Sequence, residues 1–470
     1  MRDVRVISSV FLASLLSLIS VYKAFNSMVN LSGLFVYYRS TDRVSSFYRM
    51  LTVVFIGSVL SACQSVPDLF KLRGRQLLSI ETNRFVLRPD ESVIGRLAAV
   101  EVEEGESLPD IARHFGLGYL EITKANADLD VWAPDAGSRV LLPLQFILPD
   151  APREGIVLNL ADMRMFFFPE GRRGSKTVMS YSTGIGREGW STPLGKSRII
   201  GKRKMPKWYV PPSIRREHAL EGDPLPAVVL PGSDNPLGEY AMRLSMPDYL
   251  IHGTNKPYGV GLRVSHGCVR LYPEAIEDLF QRVSVGTRVH IVDQPYLVGW
   301  QDGMFYLESH RPEPSGGKKG RRLKEQLFDK LKRYSSEADV EIDWNRVTDV
   351  LAKSAGIPKP ILMGSHDGGG LFFDVPLVAR PQKLYKMPVV PPLKAGEWSI
   401  LAGSFLQESN AIQLAAILNH QGPQIPTRVV KRNTSFRVVA GPFRNRRQAR
   451  KTSQRMLREL ELKTWVRKAD

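Results

Sequence analysis

Ile251-His252-Gly253-Thr254-Asn255 and Ser265-His266-Gly267-Cys268-Val269-Arg270 are the two stretches on which the reading of this 470-residue chain turns. They sit among short apolar runs punctuated by Gly and Pro, such as Ile156-Val157-Leu158-Asn159-Leu160, Met165-Phe166-Phe167-Phe168 and Thr287-Arg288-Val289-His290-Ile291-Val292. Several such runs predict a β-rich sandwich or barrel over residues 152–294. A cysteine attacks an amide as thiolate, and a free thiol with a pKa of about 8.5 is mostly protonated at neutral pH. An adjacent imidazole solves that problem, and two are at hand. His252 lies 16 positions before Cys268, and His266 lies two before it. If residues 265–270 are extended, His266, Cys268 and Arg270 project to one side. Gly267 would then leave room for backbone N–H groups to approach a developing oxyanion. A lone Cys near a His is more often a small buried hydrophobe, so it is the pair of stretches together that marks this one out.

That pair resembles the L,D-transpeptidase (YkuD) catalytic domain, whose signature is a His followed at a distance by Ser/Thr-His-Gly-Cys. Ser182-Thr183-Gly184, Thr192-Pro193-Leu194-Gly195 and Asn235-Pro236-Leu237-Gly238 extend the likeness ahead of the first His. The resemblance implies Cys268 as nucleophile and His252 as its base. His266 and Gly267 become supporting groups on the oxyanion side, and Ser265 and Arg270 candidates for binding substrate. Gly253 and Arg270 stand where some members have Ser and Asn, which removes any Cys/His/Ser triad. The orienting partner of His252 is then open, a backbone carbonyl being one choice. Arg270 is either a partner for a substrate carboxylate or one half of a structural ion pair.

The implied reaction is a thioester acyl transfer. Cys268 cleaves the bond between the L-centre of diaminopimelate and D-Ala in a tetrapeptide stem, and an amine takes the acyl group. That amine belongs to another stem or to a lysine of a wall-attached lipoprotein; the wording of residues 251–255 and 261–271 looks closer to the lipoprotein-attaching branch. The chemistry needs no cofactor, and eight histidines without paired ligand spacing make no case for a metal. His252 is the expected base, because it comes from a separate strand end, whereas His266 is tethered two residues from the sulfur. The expected resting state is a thiolate–imidazolium pair with Cys268 titrating below its free value.

Around this centre the composition predicts further parts. Residues 51–62 form an apolar run ending in Leu60-Ser61-Ala62-Cys63, which resembles a bacterial lipoprotein signal with Cys63 as the lipidated residue. Residues 1–63 are read as leader, though a second apolar run upstream leaves the start site open. Cys63, with Gln64 after it, points to a periplasm-facing lipid anchor, in the outer membrane of a Gram-negative bacterium. Residues 64–97 read as linker. Over 98–144, Gly105-Glu106-Ser107-Leu108, Ile111-Ala112, Ala125-Asn126 and Leu141-Leu142-Pro143 fall in the order strand, helix, helix, strand, with Ser107 as an N-cap. This resembles LysM, a βααβ module that binds N-acetylglucosamine-containing glycan.

Residues 295–395 read as linker with some helix, including Gly-Gly-Lys-Lys-Gly-Arg-Arg at 316–322. From 396 to 468 two strand–helix units echo each other, Ile400-Leu401-Ala402-Gly403-Ser404-Phe405 and Val438-Val439-Ala440-Gly441-Pro442-Phe443 each preceding a helix. They resemble the SPOR domain, a ferredoxin-like α+β fold that binds peptide-stripped glycan. The fold class expected is therefore multidomain and mainly β.

A formal charge of +18 favours an acidic partner, and peptidoglycan strands and stems fit the resemblances. A nucleic-acid-binding protein would also account for the charge, but the aromatic strand signature used for base stacking is missing. Two further alternatives are a hydrolase using water on the same bond, an L,D-carboxypeptidase, and a non-catalytic wall-binding scaffold. Intact Cys268, His252 and His266 weigh against the scaffold.

Overall fold

A computed structural model describes residues 77–170, 176–220, 222, 224–311, 317–365, 375–381 and 388–469. The leader at 1–63, with Cys63, lies outside them.

The chain opens with β1 (Arg84–Val86) and β2 (Val93–Gly95), followed by β3 (Ala98–Glu101), α1 (Leu108–His114), α2 (Tyr119–Ala125) and β4 (Arg139–Leu142). Ser107 caps α1 as expected, within a reciprocal box: the Asp110 N–H donates to Ser107 Oγ at 3.3 Å and the Ser107 N–H to Asp110 Oδ2 at 3.0 Å. β3 and β4 pair antiparallel around the two helices. Asn126 binds the Leu141 N–H and both the Ile122 and Leu141 carbonyls, tying the end of α2 to β4.

The catalytic region continues through β5 (Gln145–Ile147), β6 (Gly155–Asn159), β7 (Arg164–Phe168), β8 (Thr177–Ser182), β9 (Ile185–Gly186), β10 (Gly195–Lys204), β11 (Trp208–Tyr209), α3 (Pro212–Leu220), β12 (Val228–Val229), β13 (Tyr240–Leu244) and β14 (Leu250–His252). After these come β15 (Arg263–Ser265), β16 (Val269–Arg270), α4 (Pro273–Arg282) and β17 (Arg288–Val292). One nine-stranded sheet runs β1-β8-β7-β6-β17-β10-β13-β14-β16. Period-two alternation gives it two covered faces. Ile156, Leu158, Met165, Phe167 and Met179 face a core shared with Ile276 and Leu279 of α4. Val157, Phe166, Phe168 and Val178 face another, shared with Leu108, Ile111, Phe115 and Ile122 of the βααβ module. The module is therefore packed on the sheet rather than strung beside it.

Two spans expected from composition to be spacers contain folded elements among the described residues. Within 64–97, β1 is an edge strand of the nine-stranded sheet, with Phe85 opposite Val178. Within 295–395, β18 (Tyr296–Gln301), β19 (Met304–Ser309), α5 (Gly317–Ala338), α6 (Trp344–Lys353) and β20 (Lys359–Pro360) enclose a core of Phe305, Leu307, Leu327, Leu331, Val347 and Ile361. The charged face of α5 dominated its composition, while its few apolar residues, spaced four apart at Leu327 and Leu331, were enough to seat it. The tail is a four-stranded antiparallel sheet, β21 (Trp398–Phe405), β22 (Thr427–Arg432), β23 (Ser435–Phe443) and β24 (Trp465–Lys468), in the order β22-β23-β21-β24. Helices α7 (Glu408–Asn419) and α8 (Arg446–Leu460) pack on it through Ala411, Ala415, Leu418, Ala449 and Met456.

Ion pairs fix the module to the catalytic sheet. Arg164 of β7, 1 % exposed, donates to Glu121 of α2 from Nε at 2.8 Å and Nη2 at 2.7 Å, with Ser180 Oγ on Nη1. Arg113 of α1 grips Glu274 of α4 with two bonds of 2.7 and 2.8 Å. Removing one partner of a buried pair leaves an uncompensated charge, which costs about 3–5 kcal/mol. Glu121→Ala is expected to lower the unfolding free energy by about 3 kcal/mol, and the double change Arg164→Met with Glu121→Leu by much less. Calorimetry of the two variants checks both.

Candidate functional site

The segment that follows Cys268 and the strand that ends in His252 are joined by a short parallel pairing. β14 lies beside β16 with Ile251 opposite Val269 and His252 opposite Arg270, and the Leu271 N–H donates to the His252 carbonyl at 2.9 Å. The nucleophile candidate thus stands one residue before a strand that is in register with the strand ending in His252.

His252 is buried, and its Nδ1 is 2.6 Å from the Gly253 carbonyl. A carbonyl only accepts, so Nδ1 carries the hydrogen and Nε2 keeps its lone pair. The orienting partner left open by the missing Ser is therefore the main chain of the residue that replaced it. Gly253 also has little space for a side chain: a Cβ there would lie 3.1 Å from Ile276 Cγ2.

Residues 265–270 are not extended throughout, contrary to expectation: β15 ends at Ser265, β16 begins at Val269, and the chain turns between them. Gly267 has φ +99, a left-handed-side conformation open to glycine, and a Cβ on it would stand 2.8 Å from Tyr249 Cε1. The turn is held internally: Ser265 Oγ donates to the Cys268 carbonyl at 2.6 Å and accepts the Gly267 N–H at 3.1 Å. Two expectations change as a result. Ser265 is buried and occupied within the turn rather than facing substrate, and the Gly267 N–H is turned toward Ser265 Oγ rather than toward an oxyanion. The bend also breaks the period-two alignment that would have put His266 on the thiol's side. His266 Nε2 instead lies 2.8 Å from Glu217 Oε2 of α3 and 3.1 Å from Arg187 Nη2, with its ring edge-on to Trp190 at 5.0 Å.

Several residues here escaped the sequence reading. Glu217 bridges Arg187 and His266. Thr192 Oγ1 accepts the Gly186 N–H at 3.2 Å and donates to the Gly267 carbonyl at 2.8 Å, joining the β9 loop to the turn. Thr192 stood in a motif that carried the family likeness, but nothing in a linear string tells that its hydroxyl meets residue 267. Glu217 had no signal, being an ordinary acid on a polar helix.

Electrostatics differ from the expected thiolate–imidazolium pair. Burial, then the neighbouring Arg270, push the His252 imidazole down to about 3. Burial pushes the Cys268 thiol up, partly offset by the Leu250 backbone and by Arg270. The thiol faces the Asp248 carbonyl, with Sγ to O 3.8 Å. Both members of the resting pair are accordingly neutral, because the site is drier than a linear reading can reveal. Among the described residues no His/Cys/Asp/Glu group is arranged to hold a metal ion.

Residues 153–291 match the YkuD family, L,D-transpeptidase catalytic domain, and residues 394–468 match the SPOR domain. Probable L,D-transpeptidase ErfK/SrfK of Escherichia coli (strain K12) is 37% identical over 290 residues, covering 60% of this chain and 92% of that protein. Probable L,D-transpeptidase YcfS of the same organism is 42% identical over 214 residues, 44% of this chain and 66% of that one. Among solved structures, the NMR structure of the catalytic domain from E. faecium L,D-transpeptidase is 21% identical, with a TM-score of 0.23, covering 30% of this chain and 99% of that chain.

In the free enzyme, alkylation of Cys268 by iodoacetamide should rise with pH to a midpoint above the ordinary thiol value of about 8.5. His252→Asn should leave that midpoint close to the wild-type one, since a neutral ring contributes no charge. Mass spectrometry of the alkylated protein across pH checks it; a large upward shift in His252→Asn would mean that the ring is charged at rest.

Proposed function

The chain belongs to the L,D-transpeptidase family, and from that premise we propose that it transfers the acyl group of a peptidoglycan tetrapeptide stem from D-Ala to an acceptor amine through a thioester on Cys268. The observation that carries this reading is the β14–β16 pairing, which sets a buried imidazole with a fixed Nδ1–H beside the strand that follows the thiol. In this mechanism the His252 Nε2 lone pair takes the Cys268 proton as sulfur attacks the carbonyl carbon between the L-centre of diaminopimelate and D-Ala. The imidazolium returns that proton to the departing D-Ala nitrogen, and the C–N bond breaks to leave a thioester. An incoming amine then attacks the thioester carbon and passes a proton to His252, and the thiol leaves carrying it. The Gly267 N–H is engaged by Ser265, so the oxyanion is assigned to the next backbone donor in the chain, the Cys268 N–H.

A dry site suits this cycle. A charged pair is never held at rest, and each proton moves only while substrate is bound.

The βααβ module at 98–144 is proposed to hold N-acetylglucosamine-containing glycan, as LysM modules do, and the SPOR domain to hold glycan strands. The acceptor is proposed to be a second stem or a lysine of a wall-attached lipoprotein. Leu60-Ser61-Ala62-Cys63 supports a lipid anchor on Cys63 facing the periplasm, with Gln64 favouring the outer membrane.

Incubating the protein with tetrapeptide-bearing muropeptides and mass-analysing the products tests the reaction. Released D-Ala with a new cross-link or lysine adduct supports transfer, and D-Ala alone makes it a carboxypeptidase. Cys268→Ala should abolish turnover while sacculus binding persists, and His252→Asn should lower turnover by roughly 10²–10⁴; near-normal turnover in either defeats the assignment. Mass analysis of the mature N-terminus should find lipidated Cys63, and an unmodified Cys63 or an uncleaved leader counts against the anchor.

A further inference from the structure

Among the described residues, the charge of Arg270 in this site is left without a counter-ion by the fold. Its backbone is fully engaged, exchanging hydrogen bonds of 2.8 Å in both directions with Gly184 and lying opposite His252 in the parallel register. Its side chain is not. The buried Nε has no hydrogen-bond partner, and no carboxylate pairs with the guanidinium among the described residues. Burial works against its charge, and the group that would favour that charge is the Cys268 sulfur once it is ionised. Arg187, also beside the catalytic turn, is paired with Glu217, and Arg113 behind it is paired with Glu274. The structural role considered for Arg270 from sequence, pairing with a nearby acid, is therefore not what the fold provides.

Arg270 is half-buried, and leaving its buried Nε without an anion or acceptor is unfavourable. Such a group is retained where a ligand supplies the anion, and its planar fork matches a carboxylate with two parallel bonds. Building on the donor assigned above, the chemistry of the stem says which carboxylate can reach it. In a tetrapeptide stem the residue after the scissile bond is the last one. Its carboxylate carbon is two bonds from the scissile nitrogen, at 1.46 and 1.52 Å per bond in standard geometry, so roughly 2.5 Å away through space. When the carbonyl carbon sits on Cys268, that carboxylate lies close beside the thiol, where Arg270 exerts its field. In a stem one residue longer, the free carboxylate is displaced by about 3.8 Å and a neutral amide takes its place.

We infer that the unpartnered Arg270 guanidinium receives the free C-terminal carboxylate of the donor stem, and so restricts the enzyme to stems ending one residue beyond the bond it breaks. Arg270 is then a specificity-determining residue beside the nucleophile. The bound carboxylate completes the charge balance of the site as substrate arrives.

The test compares four synthetic peptide donors by release of the residue after the diaminopimelate: the tetrapeptide, its C-terminal carboxamide, the tetrapeptide amidated on the side-chain carboxylate of diaminopimelate, and the pentapeptide. Wild-type enzyme should favour the tetrapeptide over its carboxamide by roughly 100-fold in kcat/KM, the size expected for hydrogen bonds to a charged group, with the difference mainly in KM. The pentapeptide should behave like the carboxamide, and side-chain amidation of diaminopimelate should have little effect. Arg270→Gln should collapse the tetrapeptide-to-carboxamide ratio toward one, and Arg270→Lys should restore part of it. Equal turnover of tetrapeptide and carboxamide by the wild-type enzyme overturns the inference without any variant being needed. So does a loss that follows the diaminopimelate carboxylate instead, or an Arg270→Gln enzyme that keeps the ratio. If wild-type enzyme cleaves none of the four after the diaminopimelate, the donor reading itself falls and this assignment with it.

Discussion

A parallel contact only two residues long, Ile251 beside Val269 and His252 beside Arg270, is the constraint on which this site rests. Cys268 lies on a turn, and a turn by itself would let the thiol wander by more than a hydrogen bond's tolerance. Fastening the next two residues to β14, and Leu271 to the His252 carbonyl, removes that freedom. Pro273 then starts α4, whose Ile276 and Leu279 bury against the sheet and hold the strand from behind. From the other side Thr192 ties the β9 loop to Gly267, and Ser265 closes the turn on itself. The order of causes runs from register to turn, and from turn to thiol.

The same packing sets the electrostatics. Bringing His252 into the sheet leaves it no water, so its ring is neutral and its tautomer is chosen by the Gly253 carbonyl. The thiol is likewise held up by burial. In this arrangement acceleration comes from position and from the low dielectric rather than from a stored ion pair. Arg270 is the exception, a cation kept beside two neutral groups.

The βααβ module and the tail domain are packed onto the catalytic domain, and polar groups decide how. The Asp110 carboxylate, fully buried, completes the cap of α1, accepts the Tyr258 hydroxyl at 2.8 Å from the segment after His252, and lies 2.8 Å from His420 Nε2 at the end of α7. Burial disfavours its ionised form, and the His420 and Ser107 contacts outweigh that to leave its titration below the usual carboxylate range. Three segments far apart in the chain therefore share one buried acid.

Much was readable without coordinates. Ser107 as a cap, the alternation of Ile156 to Leu160 and the pairing of a His stretch with Ser-His-Gly-Cys are local features, and local sterics and hydrogen bonding make local patterns reliable. The composition of 64–97 and 295–395 misled, because an edge strand of three residues or a charged helix with two well-placed leucines needs a partner surface before its few apolar groups matter. The bend at Gly267 was invisible, since glycine permits a left-handed backbone without demanding it. So were Glu217 on His266 and the lack, among the described residues, of an acid paired with Arg270. Those are facts about what lies close in space among residues distant in sequence, and only the closing of the sheet decides them.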